Sequence, residues 1–174
     1  MNEAFEGILA RLAANFQIDT PQEDEEGFVG LEVEELSIYM RVEEETHPFL
    51  MILVNLGSYP IHCASEVYRE IAVANHMWAG TNGGTLSANT DDHTLMLGWR
   101  EPMSTLDHNR LAEVLELLVE SAHEQNLRFK AIADGVTLPE LDEDGNETGD
   151  DHALGTPGFA DESVSRPDSF HIRI

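Results

Sequence analysis

Residues 49–56 read Phe-Leu-Met-Ile-Leu-Val-Asn-Leu, apolar on both of the faces that a β-strand presents. Strand side chains alternate between faces, so such a run suits the middle of a sheet. The two preceding runs differ. Val29, Leu31 and Val33 alternate with Phe28, Gly30 and Glu32. Leu36, Ile38, Met40 and Val42 alternate with Ser37, Tyr39, Arg41 and Glu43. That period of two predicts half-buried strands, and the short polar connections predict antiparallel hairpins. A sheet built this way carries apolar side chains on more than one face.

Three helical segments are available to cover it. Phe5, Ile8, Leu9, Leu12, Ala13 and Phe16 follow helical spacing, which predicts a helix over about Asn2 to Gln17. A second helix is expected from roughly Ser65 to Trp78. Its C-terminal half is apolar nearly all round, so it should bury two faces, one of them against another subunit. Gly80, Gly83 and Gly84 then open a hairpin, Thr85 to Ala88 and Thr94 to Arg100, around the turn residues Asn89-Thr90-Asp91-Asp92. Asp107 is a good helix N-cap and Leu106 can pack on Leu111 as a staple. The third helix keeps Leu111, Val114, Leu115, Leu118, Ala122 and Phe129 on one side and runs to about Ala133. Residues 136–174 change to an Asp, Glu, Gly, Ser, Thr and Pro-rich composition without sustained period, expected to be a disordered acidic tail after a domain of residues 1–135. The last five residues, Phe-His-Ile-Arg-Ile, alternate apolar and polar and could form a strand. The expected fold is α+β, in the order α-β-β-β-α-β-β-α, with a mainly antiparallel twisted sheet.

The formal charge of −25 repels phosphate backbones and anionic membranes, so neither nucleic acid nor a membrane is an expected partner. It attracts basic or amphipathic polypeptides instead. A single cysteine, Cys63, cannot make an intrachain disulfide. No apolar run is long enough to span a bilayer, and the N-terminus lacks the layout of a secretory signal. A cytoplasmic location is expected. Eight histidines are scattered without zinc-ligand spacing. Residues 142–153 place Glu147 and Ala153 where a calcium loop needs Gly and Glu. Cys63 beside His62 is no dyad by adjacency alone. No catalytic residue, metal or cofactor is assigned.

Ala74-Asn75, Thr81-Asn82-Gly83-Gly84-Thr85-Leu86, Asp91 to Leu97, and Leu106-Asp107 before a Leu- and Glu-rich helix have the order and spacing of a known group. The chain resembles the Tir-chaperone (CesT) family, the class I chaperones of bacterial type III secretion effectors, over about residues 2–130. It departs from that family in its additional C-terminal residues and in Asn82 within the glycine loop. The resemblance implies a homodimer that binds the largely extended N-terminal segment of a secreted effector, without ATP or metal. A regulatory chaperone that sequesters a secretion regulator is the alternative within the same fold, and contact with the export apparatus is a further possible partnership. A small enzyme acting on a cationic substrate is the alternative from another class; it requires a concave pocket with a carboxylate of raised pKa. Effector contacts are expected at Phe5 and Leu9 on the first helix and at Leu31, Ile38, Tyr39, Met51 and Trp99 on the sheet. The dimer contact is expected at Val67, Ile71, Val73, Ala74 and Met77.

Overall fold

The computed structural model describes residues 2–136 together with the backbone of residues 140–141, 147–148 and 172–173. Most of the expected tail, including residues 142–146 of the calcium-loop-like stretch, lies outside the described residues. The first helix, α1 (Glu3–Phe16), starts where the Asn2 side chain accepts hydrogen bonds from the Ala4 and Phe5 amides. That satisfies two of the amides a helix start leaves orphaned. Three strands follow: β1 (Val29–Val33), β2 (Leu36–Glu43) and β3 (Phe49–Ser58). Then come α2 (Ala64–Asn75), the hairpin β4 (Thr85–Ala88) and β5 (Thr94–Pro102), and α3 (His108–Ala133). Asp107 caps α3 by accepting from the Arg110 amide. Short strand pieces occur at β6 (Glu140–Leu141), β7 (Glu147–Thr148) and β8 (Ile172–Arg173).

The main sheet has the order β4-β5-β3-β2-β1-β8, each described pairing antiparallel. β3 is thus central within β1–β5, as its double-sided apolarity requires. Val33 pairs with Leu36, so Glu34 and Glu35 alone make the turn, with φ of 48° and 71°. Such tight turns need positive φ at both central residues and normally use Gly or Asn. Here Glu34 is held by His123 of α3, whose Nε2 lies 3.1 Å from Oε2.

One face of the sheet forms the core. Leu31, Val33, Ile38, Met40, Leu50, Ile52, Val54, Leu95 and Leu97 are buried against α1 and α3, which supply Phe5, Leu9, Leu12, Leu111, Leu115 and Leu118. The second helix ends earlier than expected. The α-helical part stops at Asn75, and a tight turn over His76–Trp78 follows, with Met77 and Trp78 at φ of 53° and 57°. The cause is long-range. The Asn75 side chain donates to the Leu86 carbonyl at 2.9 Å and accepts from the Leu86 amide at 2.8 Å. Its carboxamide therefore acts as a strand neighbour on the outer edge of β4. Gly80 folds back against Ala74, and Gln125 of α3 donates to the Gly80 carbonyl.

The glycine loop is fitted to β5. At Gly83 φ is +100°, and an added Cβ would stand 2.9 Å from the Trp99 ring. Gly83→Ala combines an unfavourable backbone region with a clash, and should cost about 1–3 kcal/mol. Thermal unfolding checks this; a melting temperature equal to the parent's would show that Trp99 moves aside freely.

Candidate partner-binding surfaces

Successive residues of a strand face opposite ways, and the second face of the sheet has no described helix over it. The strand register places Gly30, Tyr39, Leu53, Gly98 and Thr85 in one row across it. Arg41, Met51 and Arg100 form the next row, and Ser37, Asn55, Met96 and Ser87 another. Met51, Leu53 and Met96 are half-buried, shielded only by neighbours on the sheet, and Tyr39 is 38% exposed. Two arginines lie on aromatic rings beside this stripe: Arg41 over Phe28 at 4.4 Å and Arg100 over Phe49 at 3.7 Å. Both contacts are cation–π geometry, and they flatten charged side chains onto the apolar floor. Gly98, lacking a side chain, leaves a trough between Leu53 and Thr85.

A second uncovered surface lies on α2 and the turn after it. Val73 is 37% exposed, Met77 74% and Trp78 55%, with Tyr68 on the same helix also exposed. Bulky residues rarely adopt positive φ, and here two of them do so while pointing apolar side chains outward. The helix itself is tied down from the inside. Glu70 and Arg128 of α3 are both buried and form an ion pair with two hydrogen bonds, Nε to Oε1 and NH2 to Oε2.

These positions sort the expected contacts. Tyr39 and Met51 lie on the open face. Phe5, Leu9, Leu31 and Ile38 do not: each is at most 2% exposed, sealed between the helices and the other face of the sheet. Trp99 is also on the core side, opposite Ile52. Its indole N–H donates to Glu101. The first four assignments are corrected to core, while Trp99 is half-buried on that same side. Leu53 and Met96, not among the expected contacts, belong to the open face by register. Of the dimer residues, Val73 and Met77 are outward and Ile71 is half-buried. Val67 and Ala74 are fully buried, and this corrects their assignment. Trp78 and Tyr68 take their place on the outer surface.

The polar groups of the described residues serve structure. Burial alone would raise the Glu101 pKa, but Arg110, donating from two nitrogens, and the Trp99 indole together hold it below the usual value. The Glu66 carboxyl is held low chiefly by Ser65, and Asp92 by Thr94. Tyr59 and Tyr68 share a hydrogen bond of 2.8 Å, which with burial pushes the Tyr59 hydroxyl up to about 12. A depression of about 250 Å³ beside the start of α1 is lined by Asn2, Phe5, Glu23, Gly27, Val42 and Glu44. Glu44 there already accepts from the Asn2 amide. Among the described residues no group of His, Cys, Asp or Glu could hold a metal ion, and no helix is long and apolar enough to cross a membrane.

What this geometry defines is a protein whose distinctive chemistry is uncovered apolar surface on a rigid α+β frame. The model of the Tir chaperone protein (CesT) family matches residues 7–126, and the chain belongs to that family. It is thereby a chaperone, and the enzymatic alternative is set aside. No curated protein matches it in sequence. Among solved structures, the ExsC-ExsE complex contains a similar chain, with a TM-score of 0.61 and 16% identity, covering 74% of this chain and 97% of the other. The HopA1-SchA chaperone-effector complex gives 0.57 and 11%, covering 70% and 91%. The Yersinia pestis type III secretion chaperone SycH, in complex with a fragment of YscM2, gives 0.54 and 15%, covering 69% and 98%. Identities this low speak for the shared fold alone.

Proposed function

We propose that this protein is a cytoplasmic type III secretion chaperone, dimeric through α2 and the turn after it. On the open sheet face it holds an extended N-terminal segment of a secreted effector. The observation that carries the reading is the second face of the central strand. Phe49, Met51 and Leu53, with Tyr39 and Met96 beside them, form an apolar stripe with no described helix over it. Contiguous exposed apolar surface on a soluble protein marks an interaction site. An extended segment can set alternate side chains into such a stripe, while the surrounding negative charge favours clients with basic residues. Family membership supports the chaperone role, and the similar fold of a chain in a chaperone-effector complex supports the kind of client.

Capture of partners by the tagged full-length chain in its native host, read by mass spectrometry, tests the reading. A secreted effector is the expected partner. A transcription-control protein in its place would turn the assignment to the regulatory alternative.

The dimer has its own test. Val73 is already exposed in the single chain, so Val73→Asp leaves the fold intact but sets an unpaired charge in the proposed contact. Size-exclusion chromatography should then show monomer. A variant that still elutes as a dimer would place the contact elsewhere.

A further inference from the structure

A β-sheet has two edges, each with a row of unpaired amides and carbonyls that invites another strand. Within β1–β5 the edges are β4 and β1. The β4 edge is short and carries the Asn75 carboxamide on Leu86. The residues preceding β1 cover its edge only at the start, where Glu23 bridges to Val29 and Asp24 holds the amide and carbonyl of Phe28. Farther along, the backbone of β8 pairs antiparallel, Ile172 opposite Val33 and Arg173 opposite Glu32. We infer that the outer edge of β1 at Glu32 and Val33 is a strand-docking site, occupied in the same molecule by this chain's own C-terminal strand, Ile172–Arg173.

Sequence pattern and charge agree with the register. The segment Phe-His-Ile-Arg-Ile alternates apolar with basic or titratable residues, within a stretch that is otherwise acidic. β1 alternates in the same way, with Leu31 and Val33 toward the core and Glu32 on the opposite face. The register sets an apolar residue across from Val33 and a cation across from Glu32. Opposite charges directly across a ladder favour pairing. The turn after β1 adds Glu34 and Glu35, so the whole edge selects a strand carrying positive charge. Residues 137–171 span enough chain to let the segment return to the sheet. The C-terminal strand would then be a resident competitor for any client segment that adds at this edge, a consequence that rests on the chaperone reading.

The docking itself is tested without a client. The probe is a synthetic peptide with the sequence of residues 170–174, extended by a fluorophore. A chain stopped after Ser169 should bind it at least about tenfold more tightly than the full chain, because a tethered copy competes at high effective concentration. Amides of β1 should exchange with deuterium at least about tenfold faster in the shortened chain, while those of β3 keep their protection. Adding the peptide should restore protection. Arg173→Glu should weaken docking, and combining it with Glu32→Arg should recover it. Equal peptide binding by both chains together with unchanged β1 exchange would overturn the inference. Protection that falls on dilution would also overturn it, by showing a strand donated from a second copy. None of these readouts involves an effector, so their failure leaves the proposed function standing, and loss of the proposed function leaves them untouched.

Discussion

Arg128→Met should destabilise the protein by about 3–5 kcal/mol, a large fraction of what a single domain has. Arg128 and Glu70 are each about 6% exposed. Removing the cation strands a carboxylate that is about 6% exposed between α2 and α3. The expense is the desolvated charge left behind rather than the lost attraction. The double variant Glu70→Leu with Arg128→Met should therefore be more stable than the single one, since it also removes the stranded Glu70 carboxylate. Urea unfolding of the three proteins measures both numbers. A single variant that loses under about 1 kcal/mol would mean that the pair is hydrated, as exposed pairs are. The consequence reaches the surface as well. Glu70 lies between Val67 and Ala74 on the buried side of α2 and fixes how that helix turns. Val73, Met77 and Trp78 face outward only while the helix is held in that rotation.

Much of this frame is readable along the chain, and the reasons it is readable are local. Period-two alternation places β2 to the residue and β1 to within one, because each half-buried strand repeats one choice at every second position. The Asp107 cap and the apolar period of α3 are equally local. What local patterns miss depends on residues far away. The α-helical part of α2 stops at Asn75 because that side chain serves Leu86 across the loop. Glu70 looks like an ordinary surface glutamate until Arg128, 58 positions on, lies beside it. The Glu34-Glu35 turn has no glycine or asparagine to announce it.

The expected client contacts show a different limit. Ile38 and Tyr39 are neighbours on one strand, so they cannot both meet an extended partner on the same face. The pattern of β2 already excluded that pair. Which face lies open is decided by where α1 and α3 pack, and the strands alone do not carry that information. Once the register is known, Tyr39 and Met51 stay on the outer face and Leu53 and Met96 join them. Leu31, Ile38 and Trp99 go to the core side together, as the alternation demands.

Leu53→Asp should weaken effector binding roughly thirtyfold or more while leaving the protein folded. Leu53 sits at the middle of the open face, between Tyr39 on one side and Gly98 on the other. In the free protein Leu53 is half-buried by its sheet neighbours, so a carboxylate there stays partly solvated and the stability change should be about 1–3 kcal/mol. Under a bound segment the same carboxylate loses its water and meets apolar side chains, at a cost of about 2 kcal/mol or more, roughly thirtyfold in affinity. Arg41 and Arg100 flank the next row and offer partial relief, so Leu53→Lys, which meets like charge there, should be at least as damaging. Leu127→Asp is the control: that leucine is 71% exposed on α3, away from this face. Titration calorimetry with the captured effector segment separates the cases. Loss of binding in both Leu53 variants with the control unaffected places the client on the open face. Parent-like affinity in Leu53→Asp would move the client off the sheet, and the α1 side, where the acidic depression at Glu23 and Glu44 opens, would become the surface to test.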